Sequence, residues 1–235
     1  MRWEIAIVIF ANSFAVIAQG TFQNLDFESA TLSPIPPGQF GGDVSMSSAL
    51  PGWTGDLGGF QATQAFQNEV SLGAASIDIL GPQWNQSPGI IDGSYSVYLQ
   101  PGDNGATASL AQSGTIPLGD KTLIFDAWQP AFATPFSVSF AGDSLSLFVL
   151  SSGVSPSGQV YNVYGANVAS FAGQTGQLEF TVYPKSGNSL LLDDISFSPN
   201  AITVTPEPDA LTLTGIGGFI FGIYRRIQVS RHFRT

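Results

Sequence analysis

Between residues 94 and 197, apolar and polar side chains alternate in short runs separated by Gly, Pro, Asn and Ser. The runs 94–100, 107–112, 121–128, 136–140, 144–150, 159–164, 177–183 and 189–197 read as β-strands, because successive side chains on a strand point to opposite faces. In the first run Ser94, Ser96 and Tyr98 face away from Tyr95, Val97 and Leu99; in 177–183, Leu178, Phe180 and Val182 alternate with Glu179 and Thr181. Period-two segments with turn residues between them predict an antiparallel β-sandwich or barrel. Residues 31–89 are rich in Gly, Pro, Gln and Ser and predict long loops with a few strands. Neither a useful helical period nor an internal repeat is present in this region. Eighteen phenylalanines supply a core and argue against disorder.

Charge narrows the chemistry. Of seven basic residues, Arg2, Arg225, Arg226, Arg231 and Arg234 lie near the ends, which leaves Lys121 and Lys185 against fourteen acids in residues 19–204, a net charge of −12. Nucleic-acid affinity rests on basic groups that neutralise phosphates, so nucleic acid is excluded as a partner. Cysteine is absent, which removes disulfides, zinc–thiolate sites and thiol nucleophiles. The one histidine, His232, stands near the C-terminus, so a Ser–His–Asp triad and histidine-ligated metals have no candidate in the domain. Glycoside hydrolysis needs two carboxylates at a set separation, and no motif singles out such a pair. The expectation is a protein that is not an enzyme, with a small glycoside hydrolase as the weakest alternative.

Both ends carry apolar segments. Met1-Arg2-Trp3 precedes an apolar stretch from Ile5 to Ile17, and Val16-Ile17-Ala18 offers a small-residue cleavage site, the form of a signal peptide over 1–18. At the other end Pro206-Glu207-Pro208 is followed by fifteen largely apolar residues, 210–224, and then Arg225-Arg226. A spanning helix needs about 20 apolar residues, so this one is short for a permanent anchor. The basic pair fits the bias of positive charge toward the cytoplasmic side. The order of acidic motif, apolar run and basic stop resembles the PEP-CTERM sorting signal of Gram-negative bacteria, although the basic end, 225–235, is longer than the usual cluster. The resemblance implies export of residues 19–204, transient inner-membrane anchoring by the C-terminal helix, an exosortase-type membrane protease as partner, and delivery to the cell surface or extracellular matrix.

A second resemblance covers the domain. Asn24-Leu25-Asp26-Phe27-Glu28, Leu50-Pro51-Gly52-Trp53, Gly93 to Leu99, Ala111-Gln112 and Leu191 to Phe197 together resemble jelly-roll domains of the galactose-binding type, which include many carbohydrate-binding modules. Such domains bring the first and last strands close, often with a structural calcium bound by acids from both. The resemblance implies Asn24, Asp26, Glu28, Asp193 and Asp194 as ligands, with Glu28 and Asp194 foremost; the alternative is that the two aspartates satisfy backbone donors or face water. Calcium takes six to eight oxygens, which these residues and backbone carbonyls could supply. Three tryptophans are candidate sugar platforms. Trp128 ends an apolar strand and Trp53 follows Pro51-Gly52, so packing suits both. Trp84 lies in the loop 81–89 between Gln83 and Asn85, where it either anchors the loop or stacks on a sugar with the two amides as hydrogen-bonding partners. The functional expectation is a surface or matrix protein that contacts carbohydrate or exopolysaccharide. The alternative is a structural matrix protein with no discrete ligand.

Overall fold

The computed structural model describes residues 20–39, 41–131 and 135–202. Fourteen strands appear in these residues: β1 Gly42–Ser45, β2 Thr54–Leu57, β3 Phe60–Ala62, β4 Gln64–Gln67, β5 Ser76–Leu80, β6 Ser96–Gln100, β7 Ala108–Thr115, β8 Thr122–Trp128, β9 Ser137–Phe140, β10 Asp143–Ser144, β11 Leu147–Val154, β12 Val160–Asn167, β13 Thr175–Val182 and β14 Leu190–Ser198. One helical turn, α1 Met46–Ala49, follows β1, and a 3₁₀ turn spans Ala169–Phe171. The strands form an eight-stranded sheet, β1-β4-β5-β6-β14-β8-β12-β11, and a six-stranded sheet, β10-β9-β13-β7-β2-β3. Pairing is antiparallel except between β4 and β5. The all-β sandwich expected from the alternation is therefore the observed architecture.

The core lies between the sheets. Phe125 of β8 meets Phe180 of β13 edge-on at 5.2 Å and stacks on Tyr164 of β12 at 5.4 Å, so three strands from two sheets share one aromatic contact. Trp53 is buried, packs against Phe27 and Phe180, and donates its indole N–H to the Asn24 carbonyl at 2.9 Å. It is a core residue and offers no sugar platform. On β13 the expected alternation holds: Leu178, Phe180 and Val182 are buried and Glu179 and Thr181 are half-exposed.

The few strands expected among the loops of residues 31–89 are five, β1 to β5, with α1 after β1, and each has only three to five residues, too short a run to show a period. Two expectations change. The run 144–150 is two strands, because the chain leaves the small sheet after Ser144 and joins the large one at Leu147. Four of the five residues of β6 are buried, Ser96 and Tyr98 included. Its second face is covered by a smaller cluster of Leu80, Ile91, Tyr98 and Leu191, packed by Val70, Trp84, Ile90, Trp128 and Tyr161. Alternation marks a half-exposed strand, and β6 is not one.

Among the described residues no helix is long and apolar enough to cross a membrane. The expected signal peptide (1–18) and the sorting tail, with Pro206, Glu207, Pro208, Arg225 and Arg226, lie outside the described residues.

Candidate functional site

Three loops meet at one end of the large sheet: the approach to β1, the turn after β4 and the loop after β5. Each is fixed by side-chain amides that replace missing ladder bonds. Gln67 donates its Nε2 to the Ser33 carbonyl at 3.1 Å. Asn68, held at φ +50°, accepts the Gly81 N–H on Oδ1 at 2.6 Å. The left-handed conformation is one that Asn tolerates better than most residues. Gln83 accepts from the Ile35 N–H at 3.0 Å and donates to the Ile35 carbonyl at 3.1 Å, pairing with the first loop as a strand neighbour would. The Gln83 amide is therefore committed to holding the wall.

Trp84 completes the arrangement. Its backbone N–H closes a turn on the Gly81 carbonyl at 2.8 Å and its indole N–H donates to the Pro88 carbonyl at 2.6 Å. One part of the ring packs on the smaller cluster; the residue is half-buried and also lines an open cleft of about 590 Å³. The rest of the lining is mostly uncharged: Ile35, Pro36, Pro37 and Val70 are apolar, Gln39, Asn85 and Gln86 carry exposed amides, and Glu69 brings one carboxylate. Trp84 thus anchors its loop and walls a cleft. Trp128 lies in the smaller cluster and does not line this cleft.

The carboxylates expected to hold calcium gather elsewhere, around an irregularity in β14 between Asp193 and Ser196. Asp194 sits there at φ +44° and is exposed. The Ile195 N–H reaches the Leu25 carbonyl at 2.9 Å, so the first and last segments do meet. Most oxygens of the five residues are already engaged. Asn24 Oδ1 accepts the Ser29 N–H at 2.9 Å and Asp26 Oδ1 the Glu28 N–H at 3.3 Å. Glu28 Oε1 accepts the backbone N–H of Ser94 at 2.7 Å and of Tyr95 at 2.9 Å. Asp193 is buried, taking the Asp194 N–H on Oδ1 at 2.8 Å, and the Asp92 N–H at 3.1 Å and the Ser96 hydroxyl at 2.6 Å on Oδ2. Among the described residues no group of three or more acidic or histidine side chains is disposed to hold one metal ion. The five residues as a set therefore do not fit a calcium ion.

Burial dominates the electrostatics of this region. Asp193 is pushed up to about 8 by burial, against the lowering effect of its three donors. Asp126, the cross-strand partner of Asp193, is pushed up to about 6 by burial and then by the charges of Asp194 and Asp92. Asp194, exposed at its outer side, is raised by partial desolvation against the strand irregularity, then by the charges of Asp92 and Asp26. On β5, Asp78 is raised well above the usual range by burial; Ser76 donates to Oδ2, and Oδ1 is buried without a partner. Sequence reading passed over Asp78, Asp92 and Asp126. The visible signal was an acid inside an otherwise apolar strand, as in Ser76-Ile77-Asp78-Ile79-Leu80 and Leu123-Ile124-Phe125-Asp126-Ala127.

No family model matches the sequence, and no curated protein matches it. Among solved structures, the chain is similar to the enzymatically active domain of tailspike protein 4 of bacteriophage CBA120, with 12% identity and a TM-score of 0.35 over 63% of this chain and 19% of that one. It is also similar to a carbohydrate-binding module from the β-sandwich superfamily, solved for its promiscuous specificity, with 14% identity and a TM-score of 0.33 over 77% of this chain and 63% of that one. The chain spans about a fifth of the first and under two-thirds of the second. At these scores neither likeness carries an argument about function.

Proposed function

We propose that the protein is a non-catalytic, exported surface or matrix protein whose jelly-roll-type sandwich contacts carbohydrate at the cleft beside Trp84. One observation carries this reading: an aromatic side chain, fixed by its own loop, walls an open and almost uncharged cleft rimmed by exposed amides. Sugars present apolar C–H faces and a ring of hydroxyls. An indole face with Pro36 and Pro37 suits the first, and the amides of Gln39, Asn85 and Gln86 suit the second. A neutral polyol also avoids the repulsion that a domain of charge −12 imposes on anions. Export and sorting by an exosortase-type protease rest on the order of motif, apolar run and basic pair in residues 205–226.

The test is a glycan array probed with the purified protein, followed by calorimetry on any hit. The expected result is binding to one class of neutral glycan, weakened at least tenfold by Trp84→Ala and little by Trp128→Ala. Absence of binding to every glycan would remove the carbohydrate reading and leave a structural matrix protein. Turnover of a bound glycan would replace the non-catalytic reading with that of a hydrolase.

A further inference from the structure

Two open sheets leave four free edges, and an edge strand presents unpaired N–H and C=O groups to any chain that can reach them. Three of the four are short. β1 has four residues and contains Asp43, β3 has three, and β10 has two, one of them Asp143. The fourth edge, β11, has eight residues, Leu-Phe-Val-Leu-Ser-Ser-Gly-Val, without a charge or a proline. It lies within a stretch, 144–178, that contains no charged side chain at all, in a domain of net charge −12.

β11 is also open on both faces. Its residues from Phe148 to Ser152 are all exposed in succession. Phe148, Val149, Leu150 and Val154 are 38, 57, 42 and 66% exposed, and Val160, paired with Val154 from β12, is 56% exposed. Leu150 lies over Gly165, and Tyr161 over Gly153, which keeps the ribbon thin. A bulge at Leu150 is the one protective device on this strand, and regular pairing with β12 resumes from Ser151 to Val154.

We propose that β11 is the seam for a second copy of this chain, added antiparallel about a two-fold axis so that two eight-stranded sheets become one. Charge selects the occupant. Two bodies of charge −12 repel wherever their acids face each other, and β11 is the long edge at which neither copy brings a charge. Antiparallel pairing of a strand with itself meets the two-fold requirement that one patch serve both partners. The exposed valines and Phe148 then lose water on both sides of the seam.

The test uses the full chain in a non-ionic detergent. Sedimentation equilibrium of the wild type should give a reversible dimer, and the double variant Val149→Glu/Val154→Glu should weaken it about tenfold or more, because it sets like charges against each other. Both positions are exposed, and far-UV circular dichroism checks that the sandwich survives. The absence of native cysteine allows a second measurement that is independent of stability. Single cysteines placed from 148 to 154 should yield a disulfide-linked dimer at the positions nearest the axis, whereas Gln61→Cys on β3 should yield none. A monomeric wild type would overturn the proposal. So would a dimer that keeps its affinity in the double variant and cross-links nowhere on β11.

Discussion

Replacing Asp126 by Asn should stabilise the protein, and by an amount that depends on pH. Asp126 sits between Phe125 and Ala127 on β8, is 8% exposed, and is raised from 3.8 to about 6 by burial, then by Asp194 and Asp92. The sign follows from which state binds the proton. Below pH 3.8 the carboxyl is neutral in both folded and unfolded chains and costs nothing extra. Between 3.8 and about 6 the unfolded chain releases the proton while the folded chain holds it, so stability falls as pH rises. Above about 6 the full cost is present. That displacement corresponds to about 3 kcal/mol at pH 7. Asn carries no charge to desolvate and none for Asp194 and Asp92 to repel.

The assay is urea unfolding followed by circular dichroism from pH 4 to 8. The expected gain is about 2–3 kcal/mol at pH 7, or roughly 5–10 °C in Tm for a domain of this size. Near pH 4 the gain should shrink below about 1 kcal/mol. Asp193→Asn provides the contrast. Both oxygens of Asp193 accept protein donors, so an amide there sets an N–H against one of them, a cost of about 1–3 kcal/mol. That cost offsets part of the relief from removing a carboxyl raised to about 8, and the pH-dependent part of the response should keep growing to about pH 8, whereas that of Asp126→Asn levels off near 6. A gain at pH 7 that persists unchanged at pH 4, or responses of Asp126→Asn and Asp193→Asn that level off at the same pH, would refute this account of the buried acids.

Gln83→Ala should release Ile35 and loosen one wall of the cleft, lowering glycan affinity without touching Trp84; calorimetry beside Trp84→Ala checks it, and unchanged affinity would show that the wall needs no clamp. Phe125→Ala should cost about 3–5 kcal/mol, since it empties the contact shared by β8, β12 and β13, and urea titration reads it directly. Glu28→Ala removes the acceptor for two backbone N–H groups at an exposed site and should cost about 1 kcal/mol, visible as faster hydrogen exchange at Ser94 and Tyr95. Millimolar calcium should leave Tm at pH 7 unchanged, because among the described residues no three acids are disposed around one ion; a rise in Tm that a chelator reverses and Asp194→Asn abolishes would overturn that reading.

The legible part of the sequence was the half whose strands are long and two-faced. β13 shows this best, because Glu179 and Thr181 stay half-exposed while Phe180 fills the core. Periodicity failed where burial is two-sided or strands are short. β5, Ser-Ile-Asp-Ile-Leu, is buried throughout, so its Asp78 looked like an ordinary polar break. Trp84 was legible as a candidate because it stands among amides in a Pro- and Gly-bounded loop. The role of Gln83 was not, because its partner Ile35 lies 48 residues away. The motif residues near the N-terminus pointed to the meeting of first and last segments. Which oxygens were already taken there depends on backbone donors, which no residue pattern names.

The placement of charge ties the cleft and the free edge together. Fourteen acids against two lysines give every copy of the domain a repulsive surface, and repulsion of this kind keeps an exposed β-edge from pairing indiscriminately. The cleft at Trp84 holds one carboxylate and β11 holds none. Contact by a neutral glycan or by a second copy therefore costs least electrostatically at these two places. Salt separates the two interactions. Raising ionic strength screens the like charge of two approaching copies and should strengthen self-association through β11. Binding of an uncharged glycan in the cleft should stay nearly constant over the same range. Self-association that weakens with salt would mean that opposite charges meet at the interface, and β11 has none to supply.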